Sequence, residues 1–133
     1  MSAPKILIVD DEPHMLRVTE FSLRRGGYQL IIGRNGREAI ELADREQPAL
    51  IVMDVLMPEL DGLGALRLLK QSPKTANIPV IMLTARGHVM TRQDAEDSGA
   101  SLFLTKPFSP NQLLTEAKRL IDAQATAQPP PAA

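Results

Sequence analysis

The sequence predicts a doubly wound α/β domain around a parallel sheet, on three observations. The runs Ile6–Val9, Leu50–Met53 and Val80–Leu83, and the shorter Leu102-Phe103-Leu104, are apolar throughout rather than at alternate positions. That pattern marks strands buried on both faces, as in parallel sheets covered by helices. Segments long enough for crossover helices lie between the runs, and repeated strand–helix alternation defines the class. Each run also ends in polar residues of a different chemical kind: Asp10-Asp11, Asp54, Thr84, and Lys106-Pro107 after Thr105. Parallel strands bring such ends to one edge of the sheet.

Taken in order, the first strand leads to a helix that starts at Glu12-Pro13 and stops at Gly26-Gly27. Its apolar residues (Met15, Leu16, Val18, Phe21 and Leu23) form more than one clean stripe. A shorter fifth run, Leu30-Ile31-Ile32, follows Tyr28. Asn35-Gly36 is a turn into a second helix that faces Ala39, Ile40, Leu42 and Ala43 inward. A third helix runs from Gly62 through Lys70 with Leu63, Leu66 and Leu69. The segment from about His88 to Ser98 has the weakest helical pattern, being polar, and Gly99 terminates it. The last helix has the fullest signature. Ser109 caps it, Pro110 takes the first helical position, and Gln112 completes a capping box ahead of Leu113, Leu114, Ala117, Leu120 and Ile121. The expected domain is 1–122. Residues 123–133, rich in Ala, Gln and Pro, are expected to form a flexible or polyproline-like tail.

Composition narrows the function classes. The chain has 133 residues, enough for one domain with a sizeable core, and 44% hydrophobic with 23% charged residues marks a soluble globular chain. No apolar run approaches the roughly 20 residues that cross a bilayer, and the first five residues do not resemble a signal peptide. Absence of cysteine excludes disulfides and thiol chemistry, and fits a cytoplasmic location. A net charge of −1 with interspersed signs gives no nucleic-acid footprint.

In open α/β sheets ligands bind beyond the carboxyl ends of the strands. Asp10, Asp11, Asp54, Thr84 and Lys106 are therefore expected to meet. Each has a plainer alternative. Asp10-Asp11 has the chemistry of a helix N-cap and its neighbour, Asp54 that of a turn aspartate, Thr84 that of a cap and Lys106 that of a solvated charge. Together they suit a different task. Adjacent carboxylates repel unless a cation neutralises them, and Mg²⁺ takes carboxylates, waters and phosphate oxygens. Asp54 is suited as a third ligand, with the Leu56 backbone carbonyl as a fourth protein oxygen, and a carboxylate can also attack phosphorus. Thr84 offers a hydroxyl donor to a phosphoryl oxygen, and Lys106 a point charge. The Lys106–Pro107 bond is a candidate for the cis form, which would aim the ammonium inward.

With these residues in view, the chain resembles the receiver (response regulator) domains of bacterial two-component signalling. The resemblance covers roughly residues 4–122. It rests on Ile-Leu-Ile-Val-Asp10-Asp11-Glu, on Asp54-x-x-Met57-Pro58-x-x-Asp61-Gly62, and on Thr84-Ala85, Gly99-Ala100 and Lys106-Pro107-Phe108. It implies a flavodoxin-like fold with five parallel strands in the order 2-1-3-4-5 and five helices. It implies a phosphorylation-dependent switch rather than an enzyme: Asp54 accepts a phosphoryl group from a histidine kinase or histidine phosphotransfer protein. Mg²⁺ or Mn²⁺ is held directly by Asp11, Asp54 and the Leu56 carbonyl, and by Asp10 through water. Lys106 pairs with Asp54 at rest and with the phosphoryl group afterwards. Thr84 moves to that group, and Phe103, at the family's aromatic switch position, turns inward. The change alters the surface of the fourth helix, fifth strand and fifth helix, where an unknown downstream protein or output domain binds. The family also implies a monomer or weak dimer, with no direct contact to nucleic acid or membrane. Leu56 and Arg86 fall at positions that vary within the family and affect dephosphorylation. Apolar Leu56 cannot orient an attacking water, so a long-lived phosphoryl group is expected.

Two other classes fit the sequence less well. Haloacid-dehalogenase-like phosphatases use a similar sheet, but they need a second aspartate two residues after the nucleophile, where this chain has Leu56. The chain is also short for their cap domain. A pseudo-receiver that only docks would be expected to lose site residues, and all five stand here.

Overall fold

The computed structural model describes residues 3–57, 60–85 and 97–127. In chain order the elements are β1 (Lys5–Val9), α1 (Pro13–Arg24), β2 (Gln29–Gly33), α2 (Gly36–Glu46), β3 (Leu50–Asp54), α3 (Gly62–Gln71), β4 (Val80–Thr84), β5 (Leu102–Thr105) and α4 (Pro110–Ala127). All four strand pairings are parallel, and the sheet order is β2-β1-β3-β4-β5, as expected. Strand order reverses between β1 and β3, which opens the crevice where a ligand site is expected.

The uniformly apolar runs follow from this architecture. Side chains alternate across a strand, and both faces of the sheet are covered. Leu7 and Val9 of β1, with Ile51 and Met53 of β3, pack toward Ala39 and Ala43 of α2 and Leu66 and Leu69 of α3. Their neighbours Ile6, Ile8, Leu50 and Val52 pack on the other face with Leu16 and Leu23 of α1 and Leu113, Ala117 and Ile121 of α4. The sheet therefore has no solvent face on its central strands.

Helix ends follow the chemistry of their caps. Asn35 accepts from the Glu38 N–H at 2.9 Å, while Glu38 reaches back to the Arg34 N–H at 3.3 Å. This reciprocal arrangement fixes the start of α2. Asp61 accepts from the Gly64 N–H at 2.7 Å at the start of α3. Ser109 accepts from the Gln112 N–H at 3.4 Å ahead of α4. Gly27 and Gly99 adopt φ of 80° and 86°, which glycine takes without strain, and each ends a helical stretch. The wide apolar pattern of α1 resolves into a face with Leu16, Thr19, Ser22 and Leu23 buried and Phe21 67% exposed.

One expectation about helices changes, and another lies mostly outside the described residues. Five helices were expected, and the described residues contain four. The segment from about His88 to Ser98 lies mostly within 86–96, outside the described residues; Asp97 and Ser98 at its end are helical. Arg86 is also outside them. The last helix extends through Ala127, five residues beyond the expected domain end at 122. Alanine and glutamine favour helix, and adding a turn to a formed helix is far easier than nucleating one. No helix among the described residues is long and apolar enough to cross a membrane.

Candidate functional site at the carboxyl end of the sheet

Register alone brings the predicted residues level. Val9 pairs with Met53, so the residues that follow them, Asp10 and Asp54, sit side by side on adjacent strands. Thr84 pairs with Thr105, so Lys106 emerges one residue beyond it. From the end of β5 the Lys106 side chain reaches over β4 to β3 and β1. Its Nζ lies 3.3 Å from Asp10 Oδ2 and 3.3 Å from Asp54 Oδ1. The Asp10 side chain is only 2% exposed and that of Asp54 11%, so the shared ammonium acts largely out of water.

The backbone beneath Asp10 is fixed. Its N–H donates to the Gly33 carbonyl at 3.1 Å, carrying the β1–β2 ladder one residue past the strand. Its Oδ1 accepts from the Glu12 N–H at 3.0 Å. Of the plain alternatives, the cap therefore survives in part: Asp10 steadies the chain entering α1, but Glu12 holds the cap position, with no side-chain bond. Asp11 is exposed and has no hydrogen-bonding or ionic partner among the described residues.

One carboxylate oxygen from each of Asp10, Asp11 and Asp54 lies within 4.8 Å of the others. Octahedral coordination at about 2.1 Å places adjacent oxygens about 3 Å apart and opposite ones about 4.2 Å apart. The three oxygens thus fit a hard divalent cation with little movement, and no softer donor stands among them. Electrostatics agree. Burial raises the pKa of Asp10, although the Glu12 N–H and Lys106 pull it back and Asp11 adds to the rise. Burial likewise raises Asp54, against the opposing pull of Lys106 and with Asp10 adding repulsion. One ammonium does not satisfy three carboxylates, and a divalent cation would complete the neutralisation.

The remaining predicted residues are placed as follows. The Thr84 hydroxyl donates to the Leu104 carbonyl at 3.4 Å, and no hydrogen bond joins it to Asp54. Phe103 is half-buried against the core beneath α2 and α3. The Leu56 side chain is exposed, and its backbone N–H favours the ionised form of Asp54. The Lys106–Pro107 bond is cis.

Sequence reasoning missed how glycine supports the site. A Cβ built on Gly62 would collide with the backbone carbonyl of Asp54. The Gly62 N–H meanwhile donates to the Val55 carbonyl at 2.8 Å. Gly62 stood in the quoted motif, but nothing in the residue type names the backbone it must approach.

Fold and site together define a switch module of the receiver type. The chain belongs to the response regulator receiver domain family, whose model matches residues 6–118. Such domains are regulatory units of two-component systems whose general function is phosphorylation-dependent switching. The chain is 36% identical over 125 residues to the alkaline phosphatase synthesis transcriptional regulatory protein PhoP of Bacillus subtilis, covering 94% of this chain and 51% of that one. It is 44% identical over 109 residues to the "Probable transcriptional regulator ycf27" of Porphyra purpurea, covering 82% and 44%. The chain spans about half the length of the curated relatives it matches. Among solved structures it is similar to the receiver domain of sensor histidine kinase PA1611 of Pseudomonas aeruginosa. That match has a TM-score of 0.83 and 31% identity, and covers 91% of this chain and 99% of the other. That crystal structure has a magnesium ion coordinated in its active site cleft.

Proposed function

We propose that this chain accepts a phosphoryl group on Asp54 from a histidine kinase or histidine phosphotransfer protein, in the presence of Mg²⁺ or Mn²⁺. The observation that carries the reading is the single Lys106 ammonium shared at 3.3 Å by Asp10 and Asp54, with Asp11 completing an all-oxygen cluster. Asp11, Asp54 and the Leu56 carbonyl would hold the ion, with Asp10 acting on it through water. The bound ion supplies positive charge that offsets the phosphoryl oxygens.

The chain's own residues do the rest. An Asp54 carboxylate oxygen forms its bond to phosphorus as the P–N bond of the donor phosphohistidine breaks. The electron pair leaves with the imidazole, which takes a proton from solvent. Lys106 exchanges its contact with Asp54 for one with a phosphoryl oxygen, and positioning and charge neutralisation lower the barrier. The product carries a charge of about −2 and new acceptor oxygens. Thr84 gives up its long bond to Leu104 and donates to one of them. Phe103 then turns into the vacated space, driven by burial alone because it has no hydroxyl. The face built from the last strand and α4 changes shape, and a downstream protein or output domain binds there. The chain acts in the cytoplasm as a monomer or weak dimer and touches neither DNA nor membrane itself.

Labelling by acetyl phosphate with Mg²⁺ tests the reading. Wild-type protein takes up one phosphoryl group, and Asp54→Asn falls to background, a loss of at least about 10³-fold. Undiminished labelling of Asp54→Asn overturns it.

A further inference from the structure

We propose that Gly36, the first residue of α2, is a positioning residue for the Asp54 site, acting through the three-residue strut Leu60-Asp61-Gly62. The inference rests on the phosphoacceptor reading above. At one end of the strut, a Cβ on Gly36 would lie 2.9 Å from both Cβ and Cγ of Leu60 and closer still to its carbonyl oxygen. At the other end, a Cβ on Gly62 would overlap the Asp54 carbonyl. No slack exists at either end. The middle is fixed as well, because the Asp61 carboxylate accepts from the Gly64 N–H at 2.7 Å and its carbonyl from the Ala65 N–H at 2.9 Å.

Helix α2 cannot easily yield. Its start is locked by the reciprocal Asn35–Glu38 bonds, and Ala39 and Ala43 are fully buried against the sheet. Bulk added at Gly36 is therefore transmitted along Leu60–Gly62 to the peptide of Asp54, 18 residues away in sequence. The carboxylate that is both ligand and acceptor shifts relative to Asp10, whose backbone is anchored separately on Gly33.

The test compares Gly36→Ala with Ala39→Gly. The second variant lies in the same helix and weakens it without adding bulk toward Leu60. Urea midpoints establish that each is folded, and isothermal titration calorimetry measures Mg²⁺ affinity. Gly36→Ala raises the Mg²⁺ dissociation constant at least fivefold, whereas Ala39→Gly stays within twofold of wild type. Exchange of the Gly62 amide, bonded to the Val55 carbonyl, quickens at least tenfold in Gly36→Ala without any metal. If Gly36→Ala does not fold, Leu60→Gly loosens the same strut, with the same expected fivefold rise. A folded variant within twofold of wild type, or an equal rise in Ala39→Gly, overturns the inference. Failure of wild-type protein to bind Mg²⁺ overturns instead the proposed function beneath it.

Discussion

The two ends of the sheet handle charge in opposite ways. At the amino end, Lys5 meets Glu46 at 3.2 Å and Lys74 meets Asp44 at 3.3 Å, the first pair partly buried and the second exposed. Lys5, with Arg45, holds Glu46 below the ordinary carboxylate range, and each acid here has at least one cation of its own. At the carboxyl end a single lysine serves two buried aspartates, with a third aspartate beside them, and burial pushes both buried acids up. The amino end is a solvated surface of the ordinary kind, where pairs contribute little. Among the described residues, the carboxyl end is left short of positive charge. That imbalance, not the number of charged residues, distinguishes a site from a surface.

The sharpest way to break this comparison is to remove one lysine from each end. Lys106→Met keeps the aliphatic stem and deletes the charge. Without Mg²⁺ it destabilises the fold by about 2 kcal/mol, below the full cost of breaking a buried pair because Asp10 and Asp54 can take up protons. Labelling by acetyl phosphate falls by at least about tenfold. Urea unfolding and labelling rates check both. A next, smaller effect concerns what stands guard over the carboxyl end. On the expectation that apolar Leu56 shields a phosphoryl group on Asp54, Leu56→Asn speeds its loss in Mg²⁺ by at least about threefold. Decay that is unchanged or slower ends the shielding idea.

A change of pH separates the two ends by sign. A raised carboxylate binds its proton more tightly in the folded chain than in the unfolded one. Asp10 and Asp54 therefore add stability as pH falls from 7 through their raised native values toward the ordinary 3.8. Glu46, held low, acts in the reverse sense, but it lies near the surface and its effect is weak. The urea midpoint of the metal-free protein thus gains a contribution from these two acids as pH falls from 7 toward 3.8, and Asp10→Asn shrinks that gain. A gain that Asp10→Asn leaves undiminished contradicts the burial argument. Smallest of all, Lys5→Met costs about 0.5 kcal/mol or less. If it matches Lys106→Met, the two ends do not differ as described.

The sheet and the gathering of acids were legible because both depend on residue type at fixed offsets. Apolar runs with no alternation require cover on both faces, and once the strands are parallel their final residues share an edge. Asn35, Asp61 and Ser109 cap the helices where turn chemistry allows. What stayed hidden depends on distances between residues remote in sequence. Nothing in Gly36 or Gly62 states that a carbonyl from another element lies against it. The sharing of Lys106 between two strands needed the fold before it could be seen. The extent of α4 was misjudged for a subtler reason: residues 123–127 have no apolar stripe to announce a helix, yet alanine continues one that packing has already begun.

The bond from the Asp10 amide to Gly33 has a consequence for tempo. Because the floor under that aspartate is part of the sheet, a cation bound as proposed would meet the Asp10 carboxylate already in place, with no stretch of chain to reorganise beneath it. Loading would then be paced by how fast the ion sheds its water.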